Sequence, residues 1–267
     1  MSQPVPVPLT RARLREIAGL ARRRERARLG HFLVEGVRGV EAAVAAGAPL
    51  VELVVTPDAA ATPRVAALLG RAGVPVSYVS AREFDRLSDA HTGQGLAGLS
   101  ASVVVPFDAS IAAAASTALV LDGVQDPGNV GTILRTAAWF GIELVVTAGA
   151  TADPESPKVV RSAAGALWDL GIARTGDAGA AAAILAGAGF ALHGADAGGA
   201  PLSEWQPGGR AALVLGGEAD GISPGARLLL DGTVAIAHAG AGAGVESLNV
   251  AVAAGILMHR WRVGVSG

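Results

Sequence analysis

The stretch Thr117–Ala148, TALVLDGVQDPGNVGTILRTAAWFGIELVVTA, decides the fold class. Its opening run ALVLDGV (118–124) is apolar enough for a buried strand, and the turn residues of QDPGN (125–129) end it. In VGTILRTAAWFG (130–141) the apolar positions Ile133, Leu134, Ala137 and Phe140 recur at helical spacing. ELVVTA (143–148) is a second strand, so the stretch reads as one β-α-β unit. At such a strand–loop–helix junction the backbone N–H groups and the positive end of the helix dipole face whatever binds there. Only Gly128 and Gly131 flank Asn129, so the Gly-x-Gly-x-x-Gly dinucleotide fingerprint is absent and a Rossmann-type oxidoreductase is disfavoured.

The same alternation continues on both sides of this unit. Downstream come a helix across SPKVVRSAAGALWDL (156–170), a strand GIART (171–175), a helix DAGAAAAILAGAG (177–189) and a strand FALHGAD (190–196). RAALVLGGE (210–218) is the next strand, Ser223-Pro224 opens a short helix as cap and first-turn proline, and TVAIA (233–237) is the last strand. The chain closes on a strongly apolar helix, Leu248 to Trp261. Upstream, HFLVEG (31–36), LVELVVTP (50–57), VPVSYVS (74–80) and LAGLSASVVV (96–105) are strands, with helices through VRGVEAAVAAG (37–47) and PRVAALLGRAG (63–73). AREFDRLSDAHTGQG (81–95) reads as a short helix running into a glycine-rich turn. The pattern resets near Pro106, and PFDASIAAAAS (106–116) reads as a connector with room for a helical turn. The expectation is an α/β protein of two domains, residues 1–106 and 117–267, joined by a linker over 107–116.

Composition narrows the classes further. The 267 residues suffice for a substantial core, and no uninterrupted apolar run reaches the roughly 18 residues of a membrane span. The absence of cysteine excludes a disulfide framework and thiolate metal sites, and the five histidines show no metal-ligand spacing. MSQPVPVPLTRARLR has no secretory h-region, so a soluble, cytoplasmic protein without membrane or metal partners is expected. The net charge of -2 hides an asymmetry: from Arg11 to Arg28 eight arginines (11, 13, 15, 22, 23, 24, 26, 28) face only Glu16 and Glu25. That segment is either a solvated helix face or a surface for nucleic-acid phosphates.

Three polar stretches carry the candidate chemistry, and each has a plain structural alternative. Asn129 is a helix cap or a ligand contact, and Arg135 is a surface cation or a catalytic one. In LVLGGEADGIS, Gly216 and Gly217 allow close approach of another backbone or a flat ligand, and Glu218 is an exposed turn residue or a contact at a strand end. In SLNVAVAAGIL, Ser247 and Asn249 cap the last helix or face a ligand.

Taken in order, NVGTILRTAAWFG, LVLGGEADGIS and SLNVAVAAGIL resemble the three signature motifs of the SpoU-type RNA 2′-O-ribose methyltransferases of the SPOUT superfamily. The likeness spans residues 117–262, and FLVEGVRGVEAAVAAG with HTGQGLAGL is similar to the family's N-terminal RNA substrate-binding domain, a ribosomal-protein-like fold. The resemblance implies a trefoil-knotted C-terminal domain with a parallel sheet, S-adenosylmethionine as donor, and a homodimer with its active sites at the subunit interface. It casts Arg135 as the catalytic cation, with Asn129, Ser247 and Asn249 orienting it and the ribose, and Glu218 holding the loops. Donor contacts fall on Leu215, Gly216, Gly217, Ile236 and Leu248. The chain departs from the family pattern at Gly217, where asparagine is usual, at Ala237-His238 with the glycine-rich 240–244, and at Ala163, where serine is expected. An N-terminal recognition domain favours ribosomal over transfer RNA. The alternatives are a transfer-RNA ribose methyltransferase and a non-catalytic RNA-binding or ribosome-associated protein on the same fold.

Overall fold

The computed structural model describes residues 7–87, 94–238 and 247–264. The chain divides into two compact units, one comprising residues up to Val103 together with Glu155–Asp169, the other Val104–Pro154 together with Leu170–Gly267.

The first unit runs β1 (Val7–Pro8), α1 (Arg11–Gly19), α2 (Arg23–Leu29), β2 (His31–Glu35), α3 (Val37–Ala45), β3 (Leu50–Val55), α4 (Pro57–Ala60), α5 (Pro63–Arg71), β4 (Val76–Tyr78), α6 (Ala81–Phe84) and β5 (Leu96–Ala101). Its strands form one mixed sheet in the order β1-β4-β3-β5-β2, antiparallel at β3–β5 and β5–β2. Leu14 and Ile17 of α1 join Val54, Phe84, Leu87 and Leu99 in one buried cluster. Of the arginine-rich segment, three members are consumed structurally. Arg26 is buried and donates to the carbonyls of Leu20 and Ala21 at 2.7 and 2.9 Å, where a cation suits the end of α1. Arg13 pairs with Glu16 at 2.7 Å and Glu52 at 3.0 Å, and Arg28 with Glu25 at 2.9 Å.

The second unit runs β6 (Val104–Pro106), α7 (Ala109–Ala113), β7 (Thr117–Asp122), α8 (Pro127–Trp139) and β8 (Leu144–Ala148). The chain then contributes α9 (Pro157–Ala163) to the first unit. It resumes the second with β9 (Gly171–Thr175), α10 (Ala178–Gly187), β10 (Ala191–Pro201), β11 (Ala211–Gly216), α11 (Pro224–Arg227), β12 (Gly232–Ala235) and α12 (Val250–Val263). Seven strands lie in the order β12-β10-β11-β7-β8-β9-β6, and every pairing is parallel. β7 and β8 are buried along their whole length, as a parallel sheet covered on both faces requires. Val120, Val146, Leu192 and Val214 of the sheet pack with Leu185 of α10 in its core.

Besides placing Glu155–Asp169, expected within the second domain, in the first unit, the structure differs from the sequence reading in several places. LAGLSASVVV is two strands rather than one: β5 ends at Ala101, and β6 pairs with β9 in the other sheet. The break is fixed by Glu155, whose carboxylate accepts from Ser102 Oγ at 2.7 Å and Val103 N at 2.8 Å. Residues 107–116, expected as a linker, hold α7, whose Ala112 and Ala115 belong to the second unit's core. The helix expected over 156–170 ends at Ala163, because Ala164 (φ 50) and Gly165 (φ 99) turn left-handed before a 3-10 turn at Ala166–Trp168. At Gly165 a Cβ would stand 2.5 Å from that of Ala42, so only glycine fits. Finally, the last helix starts at Val250 and extends to Val263.

Candidate active site

Asp126, not Asn129, caps α8: its side chain accepts from Asn129 N at 2.8 Å, with Pro127 in the first turn. This frees the Asn129 side chain. Its Nδ2 donates to Glu218 Oε1 at 2.5 Å, and its Oδ1 accepts from Asn249 Nδ2 at 3.0 Å. Asn249 does cap α12, its Oδ1 accepting from Ala251 N at 3.0 Å and Val252 N at 3.3 Å. One amide therefore serves as cap and as tether: the capping reading of Asn249 holds, and its Nδ2 ties α12 to Asn129. Three segments far apart in sequence are tied by a chain of side-chain hydrogen bonds running Asn249, Asn129, Glu218.

Glu218 stands on the rim of a crevice of about 590 Å³, within the usual range for a small-molecule site. The crevice lies at the carboxyl ends of β11 and β12, where open α/β sheets bind ligands, with the middle of β10 (Ala195–Ala197) along one wall. Leu215, Gly216, Gly217, Ile236 and Leu248 all line it, as does Ser247. Its walls also include Asp196 and Arg227, which pair at 2.6 Å. The backbone N–H of Gly198 and then Arg227 hold the Asp196 carboxyl below the usual carboxylate range. Neither residue was among the candidates read from the sequence, since a lone acid at a strand end and an arginine in a four-residue helix carry no spacing signal.

The double glycine is a backbone requirement. A Cβ at Gly216 would lie 2.1 Å from the carbonyl carbon of Gly221, and one at Gly217 would lie 2.5 Å from the Gly123 oxygen. Gly217 N donates to Asp122 O at 2.9 Å, and the Asp122 carboxylate accepts from Ser223 N at 2.7 Å, so β7 and the loop after β11 are cross-tied. Here the close approach is of backbone to backbone, and it explains why glycine rather than a longer residue follows Gly216.

Arg135 is not on the crevice wall. It lies six residues past Asn129, about 9 Å along α8, exposed and without an ion pair or hydrogen bond among the described residues. Its face of the helix also carries Trp139, 84% exposed. The glycine-rich 240–244 and His91–Gly93 lie outside the described residues. Ala163 is fully buried and packs within the first unit. Among the described residues no group of His, Asp or Glu is placed to hold a metal ion, and no helix is long and apolar enough to cross a membrane.

Residues 116–259 match the SpoU rRNA Methylase family, and residues 11–98 match the MRM3-like substrate binding domain. The chain is 31% identical to the 23S rRNA (guanosine(2553)-2′-O)-methyltransferase RlmP of Bacillus subtilis over 90% of its own length and 92% of that protein. Two solved structures are similar throughout. One is a putative RNA methyltransferase of the TrmH family from Porphyromonas gingivalis (TM-score 0.82, 33% identity, 96% of this chain and 99% of that one). The other is the SpoU methyltransferase AviRb from Streptomyces viridochromogenes in complex with the cofactor AdoMet (TM-score 0.81, 27% identity, 97% and 100%).

Proposed function

Because the chain belongs to the SpoU rRNA methylase family, we propose that it methylates a ribose 2′-hydroxyl in ribosomal RNA with S-adenosylmethionine as donor. The observation that carries this reading is the Asn249–Asn129–Glu218 hydrogen-bond chain at the rim of the crevice, which joins the three motif segments in one place.

The crevice fits the donor. Leu215, Ile236 and Leu248 offer apolar walls for a purine, and backbone at Gly216 and Gly217, packed tightly on Gly221 and Gly123, forms a fixed rim beside them. When bound, the donor supplies a methyl group already activated on a sulfonium. The protein's part is therefore alignment and charge stabilisation, and positioning alone can contribute about 7–11 kcal/mol. The role of Arg135 is to clamp a substrate phosphate and stabilise charge developing on the 2′-oxygen. Asn129 and Asn249 fix the loops that meet the ribose, Ser247 presents a hydroxyl to it, and Glu218 locks Asn129 in place.

A second copy of the chain completes the site in this reading. α8 and α12 pack side by side, and their outer faces expose Trp139, Val252 (52%), Ile256 (37%) and Val263 (56%). Val252, Ile256 and Val263 recur at helical spacing, an apolar stripe of the kind that a symmetric dimer buries. Arg135 shares that face, so dimerisation brings it beside the partner's crevice. The knot of the second unit, the substrate-binding role of the first and a cytoplasmic location belong to the same reading.

The test is methyl transfer in vitro. The full chain, labelled S-adenosylmethionine and unmodified ribosomal RNA should yield one alkali-resistant ribose, and calorimetry should show donor binding. No incorporation into any ribosomal RNA by a dimer that binds donor would overturn the reading.

A further inference from the structure

We propose that a cleft in the first unit, between α1 and the turn of α6, anchors the phosphate backbone of the RNA substrate through Arg11, Arg15, Arg82 and Arg86. This rests on the reading of the substrate as RNA and places its grip on residues that the linear arginine run does not single out. The cleft has a volume of about 530 Å³ and is lined by those four arginines with Leu14, Ser80 and Glu83. Two of the arginines come from the start of the unit and two from near its end, so the fold and not the sequence collects them.

All four are exposed, and among the described residues none makes a side-chain hydrogen bond or ion pair. Their neighbours Arg13, Arg26 and Arg28 are committed to Glu16 and Glu52, to the end of α1, and to Glu25. The one carboxylate on the cleft wall, Glu83, is held by Ser80, accepting from its N at 2.9 Å and its Oγ at 2.7 Å in a capping box, while Arg86 and Arg11 act on it without forming an ion pair. Four cations thus face a single carboxylate, an excess of three positive charges. No acidic residue lies in the first turn of α1, which begins at Arg11, so the helix dipole adds to the positive field.

The cations are also held in place. Leu14 of α1 and Phe84 and Leu87 of the α6 turn pack in the same buried cluster, so the two pairs cannot drift apart without opening the core. Arg11 and Arg15 lie one helical turn apart, about 6 Å along the axis. Like charges held together without counter-ions repel, and a polyanion relieves that repulsion by releasing its own counter-ions. Guanidinium forks match phosphate oxygens two at a time, and a wall of guanidiniums lacks the apolar centre of a protein interface. RNA backbone, rather than an acidic protein, is the occupant that fits.

The experiment is fluorescence anisotropy of a labelled RNA hairpin with the full chain across a salt series. The double variants Arg11→Gln/Arg15→Gln and Arg82→Gln/Arg86→Gln should each weaken binding about tenfold or more at low salt. Each should also flatten the slope of log affinity against log salt by roughly 2, one per lost phosphate contact. Arg→Lys at the same positions should keep the slope, and donor binding and melting temperature should stay at wild-type values. Folded Gln variants with wild-type affinity and slope would overturn the cleft, whatever else occupies it. A chain that binds the hairpin through the cleft but methylates no ribosomal RNA would leave the cleft standing and sink the functional reading. Full methylation and RNA binding in both Gln variants would do the reverse.

Discussion

Arg135 gives nothing to the fold, with no partner among the described residues, and that is what makes it informative. Arg135→Ala should leave the melting temperature and donor affinity unchanged while slowing methyl transfer by about a hundredfold or more. Single-turnover assays and calorimetry on the same preparation check both halves. Asn249→Ala should act on both fronts, losing a helix cap worth about 1 kcal/mol and the tether to Asn129, with turnover falling about a hundredfold as the loops lose register. Gly217→Ala should cost about 1–3 kcal/mol and weaken donor binding, because its Cβ meets the Gly123 carbonyl, which cannot swing aside. At this scale the sequence named candidate residues but not what they touch. Asn129 stands where a cap for α8 would, yet Asp126 three residues earlier takes that place by accepting from Asn129 N. Asp196 and Arg227 were illegible, since an ion pair across 31 positions leaves no periodic trace.

The elements were the most legible level. Alternating strand and helix patterns carried the α/β class and the β-α-β unit, because buried strands are continuous apolar runs and turn residues separate them; the parallel sheet followed from the family resemblance. The errors fell where tertiary contacts override local pattern. One apolar run, 96–105, is shared between two sheets because Glu155 pins its middle. One helical pattern, 156–170, is cut short by the approach of Ala42 to Gly165. β10 also carries a testable pH response. His193 has a buried, unpartnered Nε2 and packs edge-on against Trp205 at 5.7 Å. Burial pushes its imidazole below the ordinary value of about 6.5, opposed by Asp231 and the backbone at Pro207. The unfolded chain then takes up the proton first, so stability is full above about pH 6.5 and declines as pH falls toward the lowered folded value. Thermal melts from neutral to mildly acid pH should show this decline, and His193→Phe should remove part of it.

At the scale of the whole molecule two α/β units were legible in the pattern, but not that residues 155–169 return to the first. That excursion is set by long-range packing, including the stacking of Trp168 on Phe32 at 5.6 Å, which neither stretch signals alone. The apolar outer faces of α8 and α12 make a further prediction. Ile256→Glu with Trp139→Glu should convert a dimer to a monomer by light scattering and abolish methyl transfer while donor binding to the crevice weakens only modestly. A dimer that survives both changes would assign the stripe another role. The central claim is that three distant segments form one ribose-methylating site. Its most direct measurement is a map of 2′-O-methyl marks across total RNA from cells with the gene, without it, and with Arg135→Ala in its place. We expect one ribosomal ribose to lose its methyl group in the deletion and in the Arg135→Ala cells alike. Identical maps in all three would contradict the account.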